Sequence, residues 1–394
     1  MSTDQPRGRR TRYSRRWTLI VVLAVLATAT VGATLLAERQ REPSPRRRSG
    51  APSSACRPRP APPPATPVWR PQTVGARAGF SPGSSIFNAT DEELGREMRG
   101  MAEVGVRWVR LDLDWSSIEQ QKGRFDWCNA DRVIGAARAV GLDVIALPTY
   151  TPTWARPRGT PDKHPPEHVA DYARFVGASV GRYRPMGVRV FELWNEPNIS
   201  AFWSPRPDVE RYASLFRAGA AAARARAGDI VVLSGGLAPA RDAPDGQSIA
   251  PATFLRMAIR AGVDADGYAV HPYTFPRPPA PDDGPTPLLE ALAADHTAMG
   301  GSAHGERPLW LTEVGAPTGS TRASVTEAEQ SAAVTQVLRV LRQKHAIRAL
   351  LWYSYRDAGR DDHNIEANFG LVRRDFSPKR ALAVFRAMAA SPDP

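Results

Sequence analysis

Eight short apolar runs, separated by stretches with helical periodicity, constrain this chain more than any other feature. The runs are RAGFS near Ala78, then 106–115, 142–150, 188–196, 229–239, 267–273, 308–315 and 347–355. Nearly all are rich in Val, Ile, Leu and aromatic residues, as parallel strands buried on both faces must be. Between them lie amphipathic segments. Thr90-Asp91-Glu92-Glu93 reads as a capping box opening a helix to about Val104. Asn129 is placed to cap the helix that ends at Gly141. Further helices are predicted at about 165–182, 208–227, 251–261, 287–299, 326–343 and 378–390. Strict alternation of eight strands and eight helices predicts a closed (β/α)8 TIM barrel. An open doubly wound sheet would carry a Gly-rich phosphate loop after its first strand, and no such loop follows here.

The predicted barrel fills only residues 74–394. Residues 1–16 are a basic tail, and 17–37 form an uncharged apolar run of 21 residues. About 20 such residues span a bilayer as a helix, and the six preceding arginines favour a cytoplasmic N-terminus. The run reads either as a retained transmembrane signal-anchor or as a cleaved signal peptide. Its length favours the anchor, while Ala27-Thr28-Ala29 offers a cleavage pattern. Ser14-Arg15-Arg16-Trp17-Thr18-Leu19 also loosely resembles a twin-arginine export signal. Either way the remainder is expected outside the cytoplasm, secreted or anchored at the cell membrane. Residues 38–73 are rich in Pro, Arg and Ser and read as a disordered spacer.

This division explains the formal charge of +12. Residues 1–70 hold 14 arginines against Asp4, Glu38 and Glu42, which leaves 38 basic and 37 acidic side chains on the rest. A phosphate-binding groove needs its basic excess on the folded part, so a nucleic-acid partner is not expected. The two cysteines, Cys56 and Cys128, are too few for a zinc site or a disulfide scaffold. Outside the cytoplasm they could pair with each other.

In a barrel, chemistry belongs at the C-terminal ends of the strands. Those ends carry Arg110 and Trp115, then Tyr150 and Trp154, then Trp194-Asn195-Glu196-Pro197, His271 and Tyr273, Glu313, and Trp352. Carboxylates, amides, one His and many aromatics make the inventory of a sugar site, because rings stack on pyranose faces while acids and amides address hydroxyls. Glu192 lies earlier on the fourth strand, where an ion pair inside the barrel is the expected role. Arg110 could equally brace the barrel through such a pair, and Trp115, Trp154 and Trp203 could equally be packing residues. Asp112 and Asp114 have no third carboxylate or His clustered with them in sequence, so neither a metal nor another cofactor is expected. The proline-rich stretch 276–287 reads as a rim of the cleft.

ELWNEPN at 192–198 resembles the strand-4 signature of clan A glycoside hydrolases. WLTEVG at 310–315 is similar to that clan's nucleophile segment, His271-Pro272-Tyr273 to its strand-6 pair, and LWYSYRD at 351–357 to its strand-8 segment. WNEPN followed by Phe202-Trp203, together with FGLVRRDFSPKRAL at 369–382, looks closest to family 39, the β-xylosidase-like group, with family 5 next. The resemblance implies a retaining glycosidase acting on a β-linked poly- or oligosaccharide. Glu196 would be its acid/base and Glu313 its nucleophile, about 5–5.5 Å apart. Arg110 and Tyr273 would hydrogen-bond Glu313. Asn195 would hold the sugar 2-hydroxyl, and Trp352 would floor the subsite of the cleaved sugar. His271, Trp115, Tyr150 and Trp203 complete the expected binding surface. Transglycosylation through the same intermediate, and a catalytically inactive sugar-binding barrel, are the alternatives. Sugar identity, exo or endo action and oligomeric state are not set by the sequence.

Overall fold

The structure, a computed structural model, describes residues 72–274, 287–300 and 306–394. The eight strands are β1 (Ala78–Phe80), β2 (Trp108–Asp114), β3 (Asp143–Thr149), β4 (Val190–Asn195), β5 (Val231–Gly236), β6 (Tyr268–Val270), β7 (Leu309–Val314) and β8 (Ile347–Trp352). All pair in parallel, in the order β5-β4-β3-β2-β1-β8-β7-β6. Parallel bridges Leu233–Gly267 and Leu237–Val270 join β5 to β6 and close the ring. The sequence-derived (β/α)8 barrel is therefore the observed architecture.

The main helices are α1 (Asp91–Val104), α2 (Trp115–Ile118), α3 (Cys128–Ala139), α4 (Val169–Tyr183), α5 (Val209–Arg226), α6 (Pro251–Arg260), α7 (Pro287–Ala298), α8 (Glu327–Gln343) and α9 (Arg380–Ala389). Short α2 is an addition between β2 and α3. The capping box at the start of α1 forms as expected, with Thr90 Oγ1 accepting from Glu93 N and the Glu93 carboxylate accepting from Thr90 N. Asn129, by contrast, does not cap α3. Helix α3 begins one residue earlier, Asp126 Oδ1 accepts from Cys128 N, and the Asn129 amide donates instead to Phe87 O. Asn129 is already inside the first turn, with helical backbone, and so does not occupy the extended position from which an N-cap side chain accepts.

Two buried layers follow from the strand period. The barrel interior is lined by Trp108, Ile145, Val190, Leu233, Ala269, Trp310, Ala349 and Leu351. Trp108 and Trp310 meet edge to face there, at 5.5 Å between centroids. Alternate residues, such as Val109, Leu111, Phe191, Leu193 and Leu311, pack outward against the helices. Because the inner layer fills the lower barrel, reactive side chains can assemble only above it, at the C-terminal mouth.

Cys128 is disulfide-bonded, and Cys56 lies outside the described residues. So do the basic tail, the apolar run 17–37, nearly all of the spacer, and residues 276–286 of the proline-rich rim. Among the described residues no helix is long and apolar enough to cross a membrane.

Candidate active site

Two strands break their alternation at the mouth, and each break presents a glutamate. On β4, Val190 and Glu192 face inward while Phe191 and Leu193 face the helices. Trp194 should then point inward. Instead it takes a left-handed conformation at φ 79°, and its indole packs outward, edge to face with Tyr172 and Trp203. The phase reset turns Asn195 inward, where its Oδ1 accepts from Arg110 Nη2 at 2.8 Å. Glu196 follows at φ 45° and is 1% exposed. A positive φ on Trp or Glu costs of order 1–3 kcal/mol and persists only when the surroundings hold it. Here Trp194 Nε1 donates to Phe202 O, Glu196 N donates to Gly236 O, and Asn198 ties its amide to Ala238 and Ile249.

On β7 the device is a bulge. Leu311 is in register with Leu350 and Val314 with Trp352, so three steps on β7 match two on β8. The extra residue lets Thr312 and Glu313 both reach the interior side of the mouth, while Val314 returns to the outer core.

The two glutamates are held by different partners. Arg110 Nη1 donates to Glu313 Oε1 at 2.6 Å, and Tyr273 OH donates to Glu313 Oε2 at 2.8 Å. Arg110 also grips Glu192 through Nε and Nη2, at 3.0 and 2.8 Å, an ion pair wholly inside the barrel. Burial works against the Arg110 charge, but Glu192 and Glu313 outweigh it and push its pKa higher still. Glu196 Oε1 lies 2.9 Å from His271 Nδ1, and His271 Nε2 lies 3.1 Å from Thr312 Oγ1. His271 is fully buried. One oxygen of each glutamate and a ring nitrogen of His271 lie within 4.8 Å of one another. The His271–Glu196 bond lies among these three residues. The pair of glutamates is suited to charge and proton exchange with a molecule entering between the carboxyl groups.

The structure thus brings together Arg110, Asn195, Glu196, His271, Tyr273 and Glu313. It treats the aromatics differently. Trp115 is fully buried, stacked on Phe175, with its indole donating to Glu119 Oε2. Trp203 is buried between Trp194 and Tyr212. Their faces are committed to packing, and neither offers a sugar platform in this conformation. Trp352 closes β8 at the mouth but is likewise fully buried, its indole donating to Phe369 O at 3.3 Å. Tyr150 follows β3 at φ 64°, its ring flanked by Phe202 and by the Lys163 ammonium at 4.2 Å. Trp154 donates to the backbone carbonyl of Glu119, whose carboxylate accepts from Trp115, so both indoles brace the same residue.

Three contributors were not singled out from the sequence. Thr312 orients His271, Asn198 fastens the β4 and β5 loops, and Gly236 makes room for the His271 ring. A Cβ on Gly236 would lie 2.1 Å from His271 Nε2. The Gly235-Gly236 pair at the end of a β-branched run was a signal for such close backbone approach.

Comparison with known proteins agrees with this architecture. The family model described as Beta-galactosidase (Glyco_hydro_42) matches residues 86–187, a span containing β2 and β3 but neither Glu196 nor Glu313. No curated protein matches the chain. Among solved structures, a family 39 glycoside hydrolase from the gut symbiont Bacteroides cellulosilyticus WH2 is 24% identical, with a TM-score of 0.63, covering 81% of this chain and 64% of that one. A monomeric beta-xylosidase from Caulobacter crescentus CB15 is 18% identical, with a TM-score of 0.63, over 81% of this chain and 69% of its own. A GH5_18 variant from Streptomyces cattleya in complex with Manb1-4GlcNAc is 19% identical, with a TM-score of 0.61, over 81% and 82%. This chain therefore spans just under two thirds of the first of these proteins, and what it shares with all three is the barrel.

Proposed function

We propose that the chain is a retaining glycoside hydrolase acting on a β-linked glycan. One observation carries this reading: two buried glutamates from β4 and β7 approach within 4.8 Å, one bonded to a histidine and the other to an arginine and a tyrosine. Oxygens this close suit direct attack by one carboxylate, whereas an inverting enzyme sets its acids farther apart to place a water between them.

In the first half-reaction Glu313 forms a bond to the anomeric carbon while the bond from that carbon to the leaving oxygen breaks. Glu196 gives its proton to that oxygen. Arg110 and Tyr273 hold both Glu313 oxygens, so the nucleophile enters the reaction already aimed. In the second half-reaction Glu196 takes a proton from water, whose oxygen displaces Glu313 and returns it as a carboxylate. His271, fixed by Thr312, stays beside the group that gains and loses the proton. Asn195, turned inward by the left-handed Trp194, is placed to meet the sugar 2-hydroxyl. A sugar acceptor in place of water would give transglycosylation by the same steps.

The apolar run 17–37 and the arginines before it support an extracytoplasmic barrel, anchored or released. Protease treatment of intact cells should digest an anchored barrel, and protection would contradict that placement. For activity, the full-length chain should be incubated with 4-nitrophenyl β-glycosides of xylose, mannose, glucose and galactose, and the product followed by proton NMR. Xylose and mannose lead because similar structures are described as a beta-xylosidase and as a complex with Manb1-4GlcNAc. First release of the β-anomer supports retention. First release of the α-anomer would exclude it.

A further inference from the structure

The mouth contains a carboxylate that the proposed reaction does not use. Asp112 stands on β2 two residues beyond Arg110, so it shares the inward face that carries Trp108 and Arg110. Among the described residues it makes no hydrogen bond. Its neighbour Asp114 is fully engaged, accepting from the Ser116 hydroxyl and from the Ser117 hydroxyl and N–H at the start of α2. On the adjacent strand, β3, the inward phase runs from Ile145 to Thr149, and Thr149 is in register with Asp114. Thr149 is fully buried, and its hydroxyl has no partner among the described residues. Thr149 lies two residues beyond Leu147, the register partner of Asp112. Leaving a buried hydroxyl unpaired costs about 1–3 kcal/mol, so its persistence one inward position along from an unbonded carboxylate points to a partner that arrives from outside. Tyr150 adds a phenol next to this pair. Burial, and after it the charge of Asp112, push its pKa well up, so it stays a protonated donor.

Resting on the glycosidase reading, we propose that Asp112, Thr149 and Tyr150 form a wall of the site that binds a neutral sugar through its ring hydroxyls. Asp112 accepts from two hydroxyls as a fork, and Thr149 and Tyr150 supply the complementary donors. The choice of a neutral sugar follows from charge. Asp112, Glu192 and Glu313 act on Arg110, whose guanidinium is already bonded to Glu192 and Glu313. Lys163, over the Tyr150 ring, is paired with Asp162 at 3.0 Å. Among the described residues, a uronic acid would therefore bring a further negative charge to a place whose cations are already paired.

The test uses the full-length chain in mild detergent, as wild type, Asp112→Ala, Asp112→Asn and Thr149→Val. Dissociation constants are measured by NMR for methyl β-glycosides of xylose, glucose, mannose and galactose, their single-deoxy derivatives, and methyl β-glucuronide. KM and kcat are measured with the 4-nitrophenyl glycosides. Asp112→Ala should weaken binding of the preferred glycoside, and raise its KM, by about tenfold or more. The loss should vanish for the deoxy derivative lacking the hydroxyl that Asp112 receives, as in a double-mutant cycle. Asp112→Asn should lose less and should narrow the discrimination against glucuronide. An equal loss on every derivative, or none on any, would overturn the wall. If neutral glycosides bind in this pattern but none is cleaved, the wall stands and the hydrolase reading falls. If they are cleaved and Asp112→Ala changes neither KM nor binding, the reverse holds. Absence of both binding and cleavage would reject both.

Discussion

At the residue scale, much of the candidate site was legible because its chemistry is written in unusual residue types at strand ends. Glu196, flanked by Trp, Asn and Pro after an apolar strand, could be picked out directly, and Glu192 could be separated from it by position alone. Substituting Glu196→Gln should lower kcat on unactivated glycosides by about 10²–10⁴, and much less on 4-nitrophenyl donors whose departure needs no proton. An equal loss on both substrate types would contradict an acid role for Glu196. Gly236→Ala should cost most of the activity without any change in a charged group. Its Cβ would meet the His271 ring at 2.1 Å and push that ring off Glu196. A variant with wild-type activity and an unshifted His271 signal in NMR would refute the close approach. What the sequence hid was mostly negative. Trp115 and Trp203 look the same in one dimension whether they stack on a sugar or on Phe175 and Trp194, and only burial separates the two.

At the element scale, the strands and helices were readable to within about four residues, since each is fixed by a local period and by caps such as Thr90 and Asp208. The phase breaks were not. Alternation along β4 predicts an inward Trp194 and an outward Asn195, and along β7 an outward Glu313. The left-handed Trp194 and the bulge between Leu311 and Val314 reverse all three, and both depend on neighbours distant in sequence. Helix α1 supplies a prediction of another kind. Glu97 is buried against Arg356, 3.5 Å away. Burial pushes it up to about 7, with Arg356 opposing and Glu93 adding to the rise. A carboxyl raised above its unfolded value of about 4.3 contributes fully below that value, and its contribution is lost as pH rises through about 7. Glu97→Gln removes this dependence. The melting temperature of the variant relative to wild type should therefore climb between about pH 5 and pH 8, and a constant difference would contradict it.

At the scale of the whole molecule, the alternation of strands and helices specifies the barrel, and the charge distribution sets it apart in sequence from the basic N-terminal segment. The segment FGLVRRDFSPKRAL was read only as part of a resemblance, and the structure gives it a physical role. Lys379, buried ahead of α9, donates to Asp357 and Thr318 at 2.8 Å and to Asn368 O at 3.1 Å, while Asp357 accepts from Gly370 N. This network fastens the β8 loop to the last helix and so helps close the ring behind Trp352. Lys379→Met leaves Asp357 buried without its counter-charge and should destabilise the barrel by about 3–5 kcal/mol in urea titrations. Adding Asp357→Leu should recover much of that loss, and no recovery would mean the pair is not the origin of the effect.

The central claim is that Glu313 becomes covalently attached to the sugar. Incubating the full-length chain with 2-deoxy-2-fluoro glycosides bearing a good leaving group, followed by peptide mass spectrometry, tests it most directly. The predicted result is one fluoroglycosyl adduct on the peptide containing Glu313, absent from Glu313→Gln. Steady turnover of the parent glycosides with no adduct, or an adduct on another carboxylate, would contradict the assignment.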